Sequence, residues 1–396
     1  MKDTRAIFDW LVDGAPGADN AAEVVGRMSE AILASGIPLQ RTAAFVRTLH
    51  PELLGRSFVW RPGAAVITRE APFTIVDSES YRTSTIAAVS QLGKAVRQRP
   101  MDPAWPNDYP GTHTDLVAEG VTDYLAAPLR FLNGQTHTIT FATTHPAGFT
   151  DEQIATLLDL TRPLARVGEI LALSRTAVNL LDAYVGRNAG AQILAGKIHR
   201  GDVDTIRAVI WFSDLRGFTE LSGSVEPAAV ISVLNELFEC QVEPIQRNGG
   251  EVLKFSGDGL LAIFPITSEH TPSERCDAAL AAARDAFAAL ARVNEDRTKR
   301  AERPIRFGLA LHLGDVAYGN IGGAGRLDFT CIGPAVNLTS RLEGLTGKLE
   351  RPLVVSQELA RLTASGTVSL GAFELKGVAA PQDVFGMPDG DPLARW

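Results

Sequence analysis

The stretch AVIWFSDLRGFT (208–219) decides how this chain is read. Its apolar, β-branched and aromatic residues predict a buried strand. The strand ends in Asp214 and runs into a turn at Gly217. A second stretch, EVLKFSGDGLLAIF (251–264), sets two apolar runs around a Ser-Gly-Asp-Gly turn. It predicts a hairpin that carries Asp258. A third, FTCIGPAVNLTSRLEG (329–344), contains a helix in which Asn337 and Arg341 stand four residues apart. That spacing projects both from one helix face. Two carboxylates on rigid turns suit hard divalent cations such as Mg²⁺. A guanidinium can follow charge that develops on a phosphoryl group. Together the blocks predict metal-dependent chemistry on a nucleoside triphosphate.

The flanking sequence predicts helices packed on a sheet, an α+β arrangement. PAAVISVLNELFECQVEPIQRNG (227–249) reads as a long helix with Pro at its start and Gly at its end. CDAALAAARDAFAALARVNEDR (276–297) reads as an alanine-rich amphipathic helix. RFGLALHLGDVAYGNIG (306–322) reads as two short strands, and VSLGAFELKGVAAPQDVFGM (368–387) as a strand pair joined at Lys376-Gly377.

In this order and spacing the three blocks resemble the catalytic domain of class III nucleotide cyclases, with the match placed at residues 201–388. The resemblance implies an α/β sandwich with a ferredoxin-like core. It assigns two Mg²⁺ or Mn²⁺ per site to Asp214, Asp258 and the backbone carbonyl of Leu215. It implies attack of the ribose 3′-hydroxyl on the α-phosphorus, with pyrophosphate leaving. Gly217 permits close backbone approach, and Phe218 and Thr219 would hold the triphosphate through their backbone. Asn337 would orient the ribose, Arg341 would stabilise the transition state, and Lys376 would reach the terminal phosphates.

Lys254 matches the family position that accepts an adenine ring, where guanylate cyclases place Glu. Thr330 matches the second base-reading position. Most adenylate cyclases have Asp there and guanylate cyclases Cys, so the chain departs with Thr, as the subgroup called class IIIb does. A hydroxyl still accepts a hydrogen bond from an adenine amino group. Cys331 lies one residue off that position. In the family the two aspartates come from one chain, and the Lys, Thr, Asn and Arg from the other. All are present in this sequence, so a head-to-tail homodimer suffices. The expectation is an adenylate cyclase that converts ATP to 3′,5′-cyclic AMP. The alternatives are a guanylate cyclase, against which Lys254 argues, and an inactive nucleotide-binding regulator, against which the complete residue set argues.

Residues 1–165 mix helix and strand. SFVWRP (57–62) and AAVITRE (64–70) flank Gly63 as one hairpin. TDYLAAPLRF (122–131) and THTITFATTH (136–145) flank Asn133-Gly134 as another, because both turn residues tolerate positive φ. FTDE (149–152) caps a following helix, which Pro163 should kink or break. This order resembles a GAF sensory domain, which implies a small-molecule or protein signal. Residues 166–200 read as a helical connector. Leu173, Val178, Leu181 and Val185 either line one face of a paired helix or pack on their own domain.

The 396 residues are too many for one ordinary domain. With 45% hydrophobic and 21% charged residues, the composition is that of a globular protein. A net charge of −8 disfavours nucleic acid as partner. Three scattered cysteines predict neither disulfides nor a zinc site and fit a cytoplasmic location. No signal peptide is expected at MKDTRAIFDWLVDGAP (1–16), and no apolar run approaches the ~20 residues that span a bilayer.

Overall fold

The structure, a computed structural model, describes residues 4–51, 53–323 and 325–396. The first three residues of the N-terminal segment read above lie outside the described residues. The chain divides into two units, Met1–Leu180 and Leu181–Trp396. No helix among the described residues is long and apolar enough to cross a membrane.

In the first unit, α1 (Arg5–Val12) and α2 (Ala21–Ala34) precede β1 (Arg41–Arg47), β2 (Leu53–Trp60) and β3 (Ile67–Pro72). Then come α3 (Glu79–Arg82), α4 (Thr85–Leu92), β4 (Val96–Gln98) and α5 (Pro110–Ala118). The hairpin β5 (Asp123–Arg130) and β6 (Thr136–Thr143) leads into α6 (Asp151–Val185). The strands form one sheet in the order β3-β2-β1-β6-β5-β4. Both predicted hairpins form, with Gly63 and Gly134 at positive φ in their turns. One face packs Ile139 and Phe141 of β6 against α2 and α6 through Met28, Ile32, Leu157 and Leu164. The other packs Tyr124 and Ala142 against Val89 and Leu116 of α4 and α5. Thr150 and Gln153 cap α6 reciprocally, backbone N–H to side-chain oxygen in each direction.

Pro163 does not break α6. The helix runs through it, because its neighbours Leu160, Leu164, Ala165 and Val167 are buried in the unit's core. The connector face does not form as one environment either. Leu173 is exposed, whereas Val185 packs in the second unit's own core.

The second unit is built of α7 (Arg187–Leu194), β7 (Val203–Leu215), α8 (Phe218–Ser224), α9 (Pro227–Arg247), β8 (Glu251–Ser256) and β9 (Gly259–Pro265). After α10 (Pro272–Lys299) come β10 (Phe307–Gly323), β11 (Arg326–Ile332), α11 (Pro334–Glu343) and α12 (Leu345–Lys348). The chain closes with β12 (Leu353–Ser356), α13 (Gln357–Ala360), β13 (Val368–Phe373) and β14 (Gln382–Gly386). The sheet order is β13-β14-β12-β10-β7-β9-β8, and β11 pairs with β10. The segment 306–322 is not two strands. It is one 17-residue strand, β10, paired with β7 from Phe307 opposite Leu215 to Gly319 opposite Val203. Gly314 is not a turn there: a Cβ would lie 2.6 Å from the Ala335 side chain, so glycine lets α11 pack close.

Strand alternation sorts β7 between two cores. Val209, Trp211 and Leu215 face α9 and α10, while Ala208 and Ile210 face the opposite core with Ala335 of α11. Asp214 shares the parity of Ala208 and Ile210, and so belongs to the α11 side. Ser213 and Trp211 on the first side donate hydrogen bonds to the buried Gln241 side-chain oxygen of α9. Helix α10 starts at a full capping box, Thr271 with Glu274. Phe307, fully buried, stacks on Phe287 of α10 at 4.3 Å between ring centroids. Phe307→Ala should therefore destabilise this unit by about 3–5 kcal/mol. Denaturant unfolding of the variant checks this, as a fall in midpoint at unchanged slope.

Candidate active site

The β8–β9 turn, Gly257-Asp258, closes the hairpin next to the end of β7. Asp214 pairs with Gly259 on one side and with Gly308 of β10 on the other. The Leu215 amide donates to the Asp258 carbonyl at 3.4 Å. Gly259 has no room for a side chain: its Cβ would lie 3.2 Å from Asp214 Oδ1. The two carboxylates lie within reach of each other's charge. Burial, and then the charge of Asp258, push the Asp214 carboxyl up to about 6. No ion pair among the described residues includes either aspartate.

After Leu215 the chain turns through Gly217, at φ 77°, into α8. The first amides of a helix have no intrahelical partner. Phe218 is half-buried against the α9/α10 core, so its side chain is a packing group, while Thr219 is exposed. Lys254 on β8 is exposed. It lies close enough to Cys331 on β11 for its charge to act on that thiol, which burial pushes up to about 12. Cys331 points into the core with Phe329. Thr330, between them in sequence, is buried, and its hydroxyl has no hydrogen-bond partner among the described residues.

Asn337 and Arg341 lie on α11, both exposed, and their side chains make no hydrogen bond or ion pair among the described residues. Lys376 is exposed between β13 and β14. The structure thus brings Asp214 within reach of the Asp258 charge, and Lys254 near β11. No hydrogen bond or ion pair among the described residues joins Asn337, Arg341 or Lys376 to the aspartates.

Sequence reasoning missed Arg216, Glu343 and Thr346. Arg216 forms an ion pair with the buried Glu343 carboxylate and donates to Thr346 Oγ1. Burial outweighs that pairing and holds the Glu343 carboxyl up at about 7; the charges of Asp214 and Asp258 act in the same direction. Arg216 and Glu343 lie within the quoted motifs, but 127 residues separate them, and no periodicity predicts their contact.

The paired carboxylates fit a divalent cation. They offer hard oxygens on two turns and form no ion pair among the described residues, and burial together with the charge of Asp258 raises the Asp214 pKa. No group of three or more His, Cys, Asp or Glu side chains suited to a metal exists among the described residues, so this pair and the Leu215 carbonyl are what the turns provide.

Residues 203–385 match the family described as the adenylate and guanylate cyclase catalytic domain, and this part of the chain is a class III cyclase catalytic domain. An adenylate cyclase of Anabaena cylindrica is 33% identical over 168 residues, covering 41% of this chain and 32% of the relative. The chain spans about a third of the length of the curated relatives it matches. The guanylyl cyclase Cya2 is 28% identical over 49% of this chain and 99% of that one, with a TM-score of 0.42. A bacterial light-regulated adenylyl cyclase shares the fold at 19% identity, over 72% of this chain and 89% of that one, with a TM-score of 0.50.

Asp214 and Glu343 hold protons in the folded chain at pH values where the unfolded chain, with ordinary values of 3.8 and 4.5, has released them. A raised carboxyl pKa contributes stability at low pH that is lost as pH rises, here from about 4 to 7. The metal-free protein should therefore lose melting temperature across that window. Asp214→Asn should flatten the fall, by about 2–4 °C for each kcal/mol of repulsion relieved. The same variant should lose the gain in melting temperature that Mn²⁺ gives the wild type. Equal Mn²⁺ stabilisation of both proteins would remove Asp214 from the metal site.

Proposed function

We propose that the protein is an adenylate cyclase that converts ATP to 3′,5′-cyclic AMP and pyrophosphate at sites shared by two copies of the chain. The observation that carries this reading is the convergence of Asp214 and Asp258 at the end of the central strands, with no ion pair to either among the described residues. Two Mg²⁺ or Mn²⁺ bound there would activate the ribose 3′-hydroxyl and neutralise the triphosphate. Asp214, Asp258 and the Leu215 carbonyl hold this centre. The amides of Gly217, Phe218 and Thr219 cradle phosphate oxygens at the start of α8. Asn337 orients the ribose, Arg341 takes up charge developing at phosphorus, and Lys376 pairs with the terminal phosphates.

ATP is favoured over GTP by Lys254 and Thr330. A lysine donates to an adenine ring nitrogen, and the unpaired Thr330 hydroxyl accepts from the adenine amino group. Cys331, buried in the core, is not available to read guanine.

The exposed state of Asn337 and Arg341 supports a shared site, in which they serve the aspartates of a second copy. Ile170, Leu173, Leu180 and Tyr184 add support. They are exposed on α6 at the 3-7-4 spacing of a coiled-coil seam, with Ala177 completing the pattern. On this reading residues 1–165 are a GAF-like sensory domain, 166–200 its helical connector, 201–388 the cyclase domain, and the protein is cytoplasmic. A cleft of 360 Å³ in the first unit, with Phe45, Val59, Ile86 and Tyr124 on its walls, supports a small-molecule signal.

The test is product formation by the purified protein from ATP or GTP, each with Mg²⁺ and with Mn²⁺. Cyclic AMP from ATP alone is expected; cyclic GMP as main product would reverse the base assignment. Asp214→Ala and Arg341→Ala should each be inactive alone, with Arg341→Ala lowering turnover by about 10²–10³-fold. Mixed, the two variants should regain activity, because one site of the heterodimer then holds only wild-type residues. No recovery on mixing would place both residues of a site in the same chain.

A further inference from the structure

An ion pair buried in a protein is weak evidence for stability, since apolar groups of the same shape often do as well. The Arg216–Glu343 pair therefore calls for a chemical reason. Arg216 lies two residues beyond Asp214 and is held at its own backbone, where its amide donates to the Arg306 carbonyl at 2.8 Å. Its guanidinium reaches over Gly308, the β10 partner of Asp214, where any Cβ would collide with Arg216, Thr346 and Glu343. At the far side Nη2 donates to the Glu343 carboxylate, to the Glu343 carbonyl at 3.1 Å, and to Thr346 Oγ1. Thr346 in turn donates to the Glu343 carbonyl at 2.8 Å. Glu343 lies two residues beyond Arg341 on α11.

A guanidinium this close to two adjacent carboxylates is itself a competitor for them. An arginine forms bidentate pairs with carboxylate, and its charge already acts on Asp214. Glu343 and Thr346 engage Nη2 of the fork, while Nε is buried without a partner among the described residues.

We propose that Glu343, with Thr346, is a positioning residue that holds the Arg216 guanidinium away from Asp214 and Asp258 and so keeps both carboxylates open to a divalent cation. The pair also ties the turn that follows Asp214 to the end of the helix that carries Arg341. In the shared-site reading on which this rests, those two elements serve opposite sites of the dimer, so each chain carries one such tie between them.

The test measures Mn²⁺ binding to the full-length protein by the loss of the free-ion EPR signal, with melting temperature followed in parallel. Glu343→Gln frees Arg216 and should weaken Mn²⁺ binding by about 10–100-fold, the range for groups that act behind the ligands. Adding Arg216→Gln to it removes the competitor and should restore binding to near wild type, even where the melting temperature stays low. A merely structural role makes the double variant no better than the single one, and that outcome overturns the proposal. So does wild-type Mn²⁺ affinity in Glu343→Gln. Should Glu343→Gln not fold, Arg216→Gln alone decides: near-wild-type affinity supports the proposal, and a loss as large as that of Asp214→Asn overturns it. None of these readings needs turnover. The cyclase reaction can fail while the positioning role stands, and Mn²⁺ binding unaffected by Asp214→Asn would instead remove the metal reading beneath both.

Discussion

Strand β7 is hydrogen-bonded along both edges, to β9 and to β10, and this double pairing constrains everything near the site. A strand so held cannot slip by one residue without turning its apolar side chains over. Trp211 and Leu215 are locked toward α9 and α10, and Ala208 and Ile210 toward α11. Asp214 has no freedom left to choose its face. The β8–β9 turn is then set by the β7–β9 register, and it delivers Asp258 to the same point. The arrangement has a cost, first in burial of a carboxylate and then in the charge of its neighbour, and both raise the Asp214 pKa. A fold that keeps two carboxylates together against their repulsion, with neither in an ion pair among the described residues, is organised for a cation from outside.

The second constraint is how closely backbone elements approach. Gly259 lies against Asp214, Gly308 lets Arg216 cross to Glu343, and Gly314 admits α11 to the sheet. Each glycine serves proximity rather than a turn. This is why residues 306–322, which read as two strands around glycine breaks, form a single strand. The pairing with β7 supplies hydrogen bonds along its length, and the glycines are where other elements come near. Pro163 gives the same lesson for a helix. A lost backbone hydrogen bond is tolerated inside α6 because the apolar residues around it are buried.

The candidate site divides by the kind of information each residue carries. Asp214, Asp258, Asn337 and Arg341 were legible because local signals placed them: an apolar run, a hairpin turn and a four-residue helical spacing. Lys254 and Thr330 were legible by resemblance alone. Lys254 on β8 acts on Cys331 of β11, beside Thr330, and those two strands come near each other only in the folded unit. Arg216, Glu343 and Thr346 were not legible at all. Each looks like an ordinary charged or polar residue within or just beyond a motif, and their contact spans 127 residues or more.

The sequence by itself determined the strand ending in Asp214, the hairpin turn bearing Asp258, the helix bearing Asn337 and Arg341, and both hairpins of the first unit. All of these follow from short-range periodicity and turn chemistry, which act over a few residues. The tertiary structure decided that the two carboxylates act on each other, that β10 is continuous, that α6 passes through its proline, and that a buried ion pair joins Arg216 to α11. Those outcomes depend on desolvation, strand pairing and close packing between segments far apart in the chain, and such energies exist only once the segments have met.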